Sequence, residues 1–152
     1  MSPEIAAGQG LLEPIVKDVF DTMVNCPIAP APYAAIEGVR VTAFVGIGGQ
    51  KKYTVLLECA EPLACKAASS MLMDSFPDWS DSVQDALSEI ANMIAGNVKS
   101  KLPEHLGLSL SLPTVVRGSN YECRTPKMKI LQEAGFDCSG APLTVRIVEE
   151  EG

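Results

Sequence analysis

At 152 residues and 47% apolar side chains, the chain is long enough to bury a core and too apolar to be disordered. A formal charge of −7 excludes a nucleic-acid footprint and an anionic-membrane binder, because both need clustered Lys and Arg. With only 5% aromatic residues, the core has to be built from Leu, Val, Ile, Ala and Met.

Residues 1–152 are expected to form one domain. MSPEIAAGQG opens the chain as a loose segment. From Leu11 to Val24, Leu12, Ile15, Val16, Val19, Phe20 and Met23 recur at steps of three and four, the stripe of an amphipathic helix. Pro14 fits only in its first turn. CPIAPAPYAAIEG, with three prolines, reads as an extended connection. Val39–Ile47 and Lys52–Cys59 are β-rich runs joined by GGQK, a hairpin signal. Pro62 opens a second helix through LACKAASSMLMDS. The longest helix runs from about Ser82 to Leu102, with Asp81 and Gln84 resembling a capping box and Lys99 and Lys101 suiting the last turn before Pro103.

Leu106, Leu108, Leu110 and Leu112 alternate with Gly107, Ser109 and Ser111, which predicts a strand with one buried face. Two more strands, near Lys127–Gln132 and Leu143–Val148, are expected on either side of the turn-rich GFDCSGAP, although KMKILQEA could be helical on propensity alone. The order α-β-β-α-α-β-β-β implies an α+β domain, a mostly antiparallel sheet packed against helices. No internal repeat or splitting linker is found.

Five cysteines (Cys26, Cys59, Cys65, Cys123 and Cys138) make an odd count without a C-x-x-C pair. With no signal peptide either, the expectation is reduced thiols in a cytoplasmic protein. His105 is the only histidine, so a Cys/His metal cluster has little material and no metal site is expected. No apolar run is long enough for a membrane span.

One feature of the longest helix resists an ordinary reading. At 100° per residue, Val83, Leu87, Ile90, Ile94 and Val98 fall on the core side. Asp85, Glu89, Asn92, Gly96 and Lys99 lie opposite, within roughly 80° of arc. A solvated face would explain the acids. It would not favour Asn and Gly, which are poor helix formers, Gly by about 1 kcal/mol relative to Ala. Gly96 would also let another surface approach the backbone. A solvated face and a functional face both remain open on these grounds.

DALSEIANMIAGNVKSKL resembles the signature helix of the CheX/CheC/FliY chemotaxis phosphatases, whose pattern of Asp or Ser, Glu and Asn is matched by Asp85, Glu89 and Asn92. EIANMIAGN is closest to the CheX form, and GLSLSLPTVVRG follows the helix as it does in that family. CheC members carry two such motifs; Glu89/Asn92 is the single E-x-x-N here, which matches CheX. The resemblance implies hydrolysis of the aspartyl phosphate on a CheY-like response regulator. Asn92 would orient the attacking water, and Glu89 would dock on the receiver lysine. Asp85 and Gly96 would support binding. It also implies a homodimer, with Mg2+ carried by the receiver and no cofactor of the chain's own. Leu106–Leu112 and LTVRIV are apolar enough to need cover in such a dimer. The alternative is a non-enzymatic module that binds or sequesters a receiver with the same helix.

Overall fold

The computed structural model describes residues 10–122 and 128–150. The N-terminal segment expected to be loose, apart from Gly10, and Cys123 lie outside the described residues. Helix α1 spans Leu12–Val19 and widens into a π-helical turn at Phe20–Val24, closed by Asn25 in a left-handed conformation. Leu12, Ile15, Val16, Val19, Phe20 and Val24 are buried, as the stripe predicts. Met23, expected on the same stripe, is 54% exposed, because the wider π turn rotates the last residues relative to the α-helical period.

The Pro-rich connection holds a two-residue strand, Ala29–Pro30 (β1). Arg40–Gly48 (β2) and Lys52–Ala60 (β3) form the expected hairpin, paired from Arg40↔Ala60 to Gly48↔Lys52. Its turn requires Gly49: a Cβ there would stand 2.5 Å from the Leu106 carbonyl oxygen. Glu61–Leu72 (α2) carries Pro62 in its first turn, and Asp81–Ser100 (α3) is the longest helix. A 3-10 turn at Glu104–Leu106 leads to Ser109–Leu110 (β4), Thr114–Gly118 (β5), Met128–Cys138 (β6) and Ala141–Glu150 (β7).

These strands make one antiparallel sheet in the order β1-β6-β7-β3-β2, with β4 and β5 both pairing with the far side of β2. Alternate residues Val41, Ala43, Val45 and Ile47 on β2, Val55 and Leu57 on β3, and Val145 and Ile147 on β7 are buried beneath the helices. The fold is the expected α+β class, and the element order agrees in outline, with β1 and β5 added.

Three local expectations need correction. The cap of α3 is Ser80, not Asp81: Ser80 is extended, and its hydroxyl accepts from the Val83 amide. Val83 occupies the position where a capping box needs Glu or Gln, so Gln84 is one residue too late. The alternating leucines do not form one strand. Leu106 ends the 3-10 turn, and Gly107 (φ 61°) reverses the chain behind it. Only Ser109–Leu110 pairs, and Leu112 is 88% exposed. GFDCSGAP is mostly strand. Its turn is confined to Ser139 and Gly140, at φ 52° and 90°, the two positive φ values that a tight two-residue hairpin turn demands. KMKILQEA is accordingly strand from Met128 onward, with a bulge between Ile130 and Gln132.

Candidate functional site

Helix α3 is fixed by its buried side. Val83, Ala86, Leu87, Ile90, Ala91, Ile94, Ala95 and Val98 are buried against the sheet and the other helices. Burial of each large side chain in that set contributes roughly 1.5–3 kcal/mol. Such a helix cannot roll, so the opposite stripe is held in one orientation. On it, Asp85 and Glu89 are exposed, and Asn92 and Gly96 are half-buried. The structure therefore brings all four expected residues onto a single outward face.

Their side chains are not spent on the fold. Among the described residues, Asp85, Glu89 and Asn92 make no hydrogen bond or ion pair. Asn97 offers the contrast on the same helix, since its amide donates to the Met93 carbonyl at 2.8 Å. An asparagine with a local structural role looks like Asn97. Asn92 keeps both an acceptor oxygen and a donor nitrogen free for something outside the molecule.

Beside the C-terminal half of the stripe runs the β4 segment. A Cβ on Gly96 would stand 3.9 Å from Leu110 Cδ1, an ordinary contact. The glycine is therefore not demanded by the packing of this chain on itself. Ser111 clamps the same segment to β2 twice. Its amide donates to the Gly46 carbonyl, and its hydroxyl accepts from the Gly46 amide, both at 2.8 Å. Reading the leucines as a half-buried strand concealed this wall; Gly107 and Pro113, which bracket the run, were the available signal.

A larger concavity, about 940 Å³, lies on the face of the sheet turned away from the helices. Its charged side chains are already engaged. Arg40 pairs with Glu58 at 3.4 Å and stacks on Tyr121, while Arg146 pairs with Glu133 and lies over Tyr33. Those arginines already have carboxylate partners within the chain, and the stripe on α3 remains the candidate site. Among the described residues, no group of three or more His, Cys, Asp or Glu side chains could hold a metal ion. No helix among the described residues is long and apolar enough to cross a membrane.

The fold is shared with solved structures. The chemotaxis protein CheX from Vibrio vulnificus superposes with a TM-score of 0.80 at 23% identity, covering 98% of this chain and 100% of that one. CheX from Desulfovibrio desulfuricans gives 0.75 at 25% identity, over 97% and 99%. A CheX from Borrelia burgdorferi, solved in complex with CheY, BeF3 and Mg2+, gives 0.68 at 19% identity over 97% of both chains. A search of curated proteins returns no match. The family model of the chemotaxis phosphatase CheX matches residues 41–133, a span that includes the whole of α3 and its exposed stripe. More than half of the chain is covered by that match, and the protein belongs to the CheX family of chemotaxis phosphatases.

Proposed function

We propose that this chain hydrolyses the aspartyl phosphate of a CheY-like response regulator, using Glu89 and Asn92 on α3. The observation that carries the reading is the exposed Glu89 and half-buried Asn92 on the outward face of a well-packed helix within a CheX-family domain, neither engaged by another side chain or backbone group among the described residues. The Borrelia burgdorferi relative, captured with CheY, BeF3 and Mg2+, supports a receiver as the partner, and the reading assigns the Mg2+ to that receiver.

The chemistry asks little of the protein. An acyl phosphate is already activated, and the receiver contributes its own lysine and Mg2+. What is missing is a water held in line with the phosphorus, a matter of positioning and electrostatics. The Asn92 amide can hold that water through its oxygen and donate through its nitrogen, adding no charge beside the phosphoryl oxygens. A carboxylate at the same place would repel them. Glu89, one turn earlier, pairs with the receiver lysine and sets the register of docking. Asp85, near the start of the helix, and Gly96 complete the contact face.

The domain acts as one unit over residues 1–152, with one site per chain, and two chains join as a homodimer. The reading implies work in the cytoplasm. The test is to follow loss of phosphate from candidate receivers with and without the protein. Acceleration of at least one receiver is expected, and none in any cognate pairing would overturn the proposal.

A further inference from the structure

Leu112 is among the most exposed large apolar side chains of the described residues, at 88%, and its backbone is held firmly. Ser111 before it is hydrogen-bonded twice to Gly46, and Pro113 after it fixes its own φ. Leu110 pairs with Ile47 and Thr114 with Phe44, so four steps along this segment match three along β2. That mismatch is a bulge, and bulges re-aim side chains. Here the bulge turns Leu112 out of the alternation that half-buries Leu108 and Leu110.

Two anchors place Leu112 against α3. Leu110 meets Gly96, and at the other end the Arg117 guanidinium lies 5.3 Å from the centre of the Trp79 ring, just before the Ser80 cap. From Leu110 to Arg117 the strand advances about 20 Å, allowing for the bulge. From Trp79 to Gly96 the helix advances about 25 Å. The segment therefore runs antiparallel to α3 along its flank. Moving two residues from Leu110 goes back along the helix by about 3–7 Å. Measured along the helix axis, that puts Leu112 level with Asn92 to within about one helical turn.

The geometry points to Leu112 as a receiver-binding residue that sets affinity for the phosphorylated regulator without touching the phosphoryl group. This inference rests on the reading of Asn92 given above, and the occupant is the same receiver domain. A stable interface covers about 800 Å² per partner, a disc of about 16 Å radius. A strand flanking a helix lies about 10 Å from its axis. A receiver that brings its phosphate to Asn92 therefore covers Leu112 as well. With its backbone already fixed by Ser111 and Pro113, Leu112 gives up only its own side-chain rotamer freedom on being covered.

The experiment measures hydrolysis of a cognate receiver phosphorylated by acetyl phosphate, and binding of the same receiver loaded with beryllium fluoride. Leu112→Ser, Leu112→Met and Asn92→Ala are compared with the parent, each checked by thermal melting. Leu112→Ser is expected to raise KM and weaken binding about tenfold with kcat within about twofold. Leu112→Met should restore both. Unchanged KM and binding in Leu112→Ser, or a loss confined to kcat, overturns the inference. Normal turnover in Asn92→Ala overturns the underlying site reading instead, and it does so whatever Leu112 does.

Discussion

Gly96 and Leu110 face each other across a gap that would admit a methyl group, since a Cβ on the glycine would stand 3.9 Å from Leu110 Cδ1. The fold itself gains nothing from glycine here. Gly96→Ala should raise stability by about 0.5–1 kcal/mol through helix propensity. If the missing side chain serves the approach of a receiver, the same variant should lose activity at least about tenfold, equivalent to about 1.4 kcal/mol of binding or transition-state stabilisation. Denaturant unfolding and receiver dephosphorylation measured together decide this. A stabilised variant with parent activity would remove Gly96 from the contact face.

Glu89 is exposed and has no partner among the described residues, so its removal should leave the fold intact. Glu89→Ala is expected to weaken binding to a beryllium-fluoride-loaded receiver, and to flatten the salt dependence of that binding. Titrations at two ionic strengths would show it. Unchanged affinity and an unchanged salt slope would contradict the docking role.

Assembly is open to a direct check. The expectation that LTVRIV needs cover does not hold, because Leu143–Val148 lies within β7, flanked by β6 and β3. One sheet edge, opposite the β4 and β5 edge, is at β6, which β1 pairs only at Phe136 and Asp137, and Ile130 on that strand is 57% exposed. An edge of this kind invites pairing with a second copy across a two-fold axis. Light scattering at micromolar concentration should give a dimer, and Ile130→Lys should shift it toward monomer. A monomeric parent protein would contradict the homodimer.

Buried thiols give the fold an alkaline limit. Cys26 and Cys138 lie with their sulfurs 3.2 Å apart, and Cys59 is buried nearby in the same core. Burial, with the Cys138 contact, pushes the Cys26 thiol from about 9 up to about 11. Burial alone is the main cause that pushes Cys59 up to about 12. A folded-state value above the unfolded one means that the native state holds its protons more tightly. The contribution is fully present below about pH 9 and is lost as pH rises toward 11–12. Stability against urea should therefore fall above pH 9, and Cys59→Ala should make that fall shallower.

The parts of the fold legible in the sequence were those set by strict periodicity. The buried face of α3 and the β2–β3 hairpin follow from spacing and from Gly-rich turn chemistry. The stripe of Asp85, Glu89, Asn92 and Gly96 was legible because poor helix formers stood where better ones would serve as well. What could not be read depended on contacts far away in sequence. The bulge that exposes Leu112 lies between the Leu110–Ile47 and Thr114–Phe44 pairings with β2, and the alternation of leucines gave no hint of it. Likewise β1 exists only because Ala29 and Pro30 meet Asp137 and Phe136, more than a hundred residues away. The Ser80 cap was missed by one position, a local competition between two good capping residues.

Asn92 carries the central claim, and hydrolysis of a phosphorylated receiver by Asn92→Ala tests it most directly. The side chain is half-buried on the outward face and makes no hydrogen bond among the described residues, so the variant should melt close to the parent protein. Loss of one positioned contact to the transition state should slow turnover about 100-fold, or about 2.7 kcal/mol. Receiver binding should be largely kept. A folded Asn92→Ala protein that dephosphorylates the receiver at the parent rate would contradict the account.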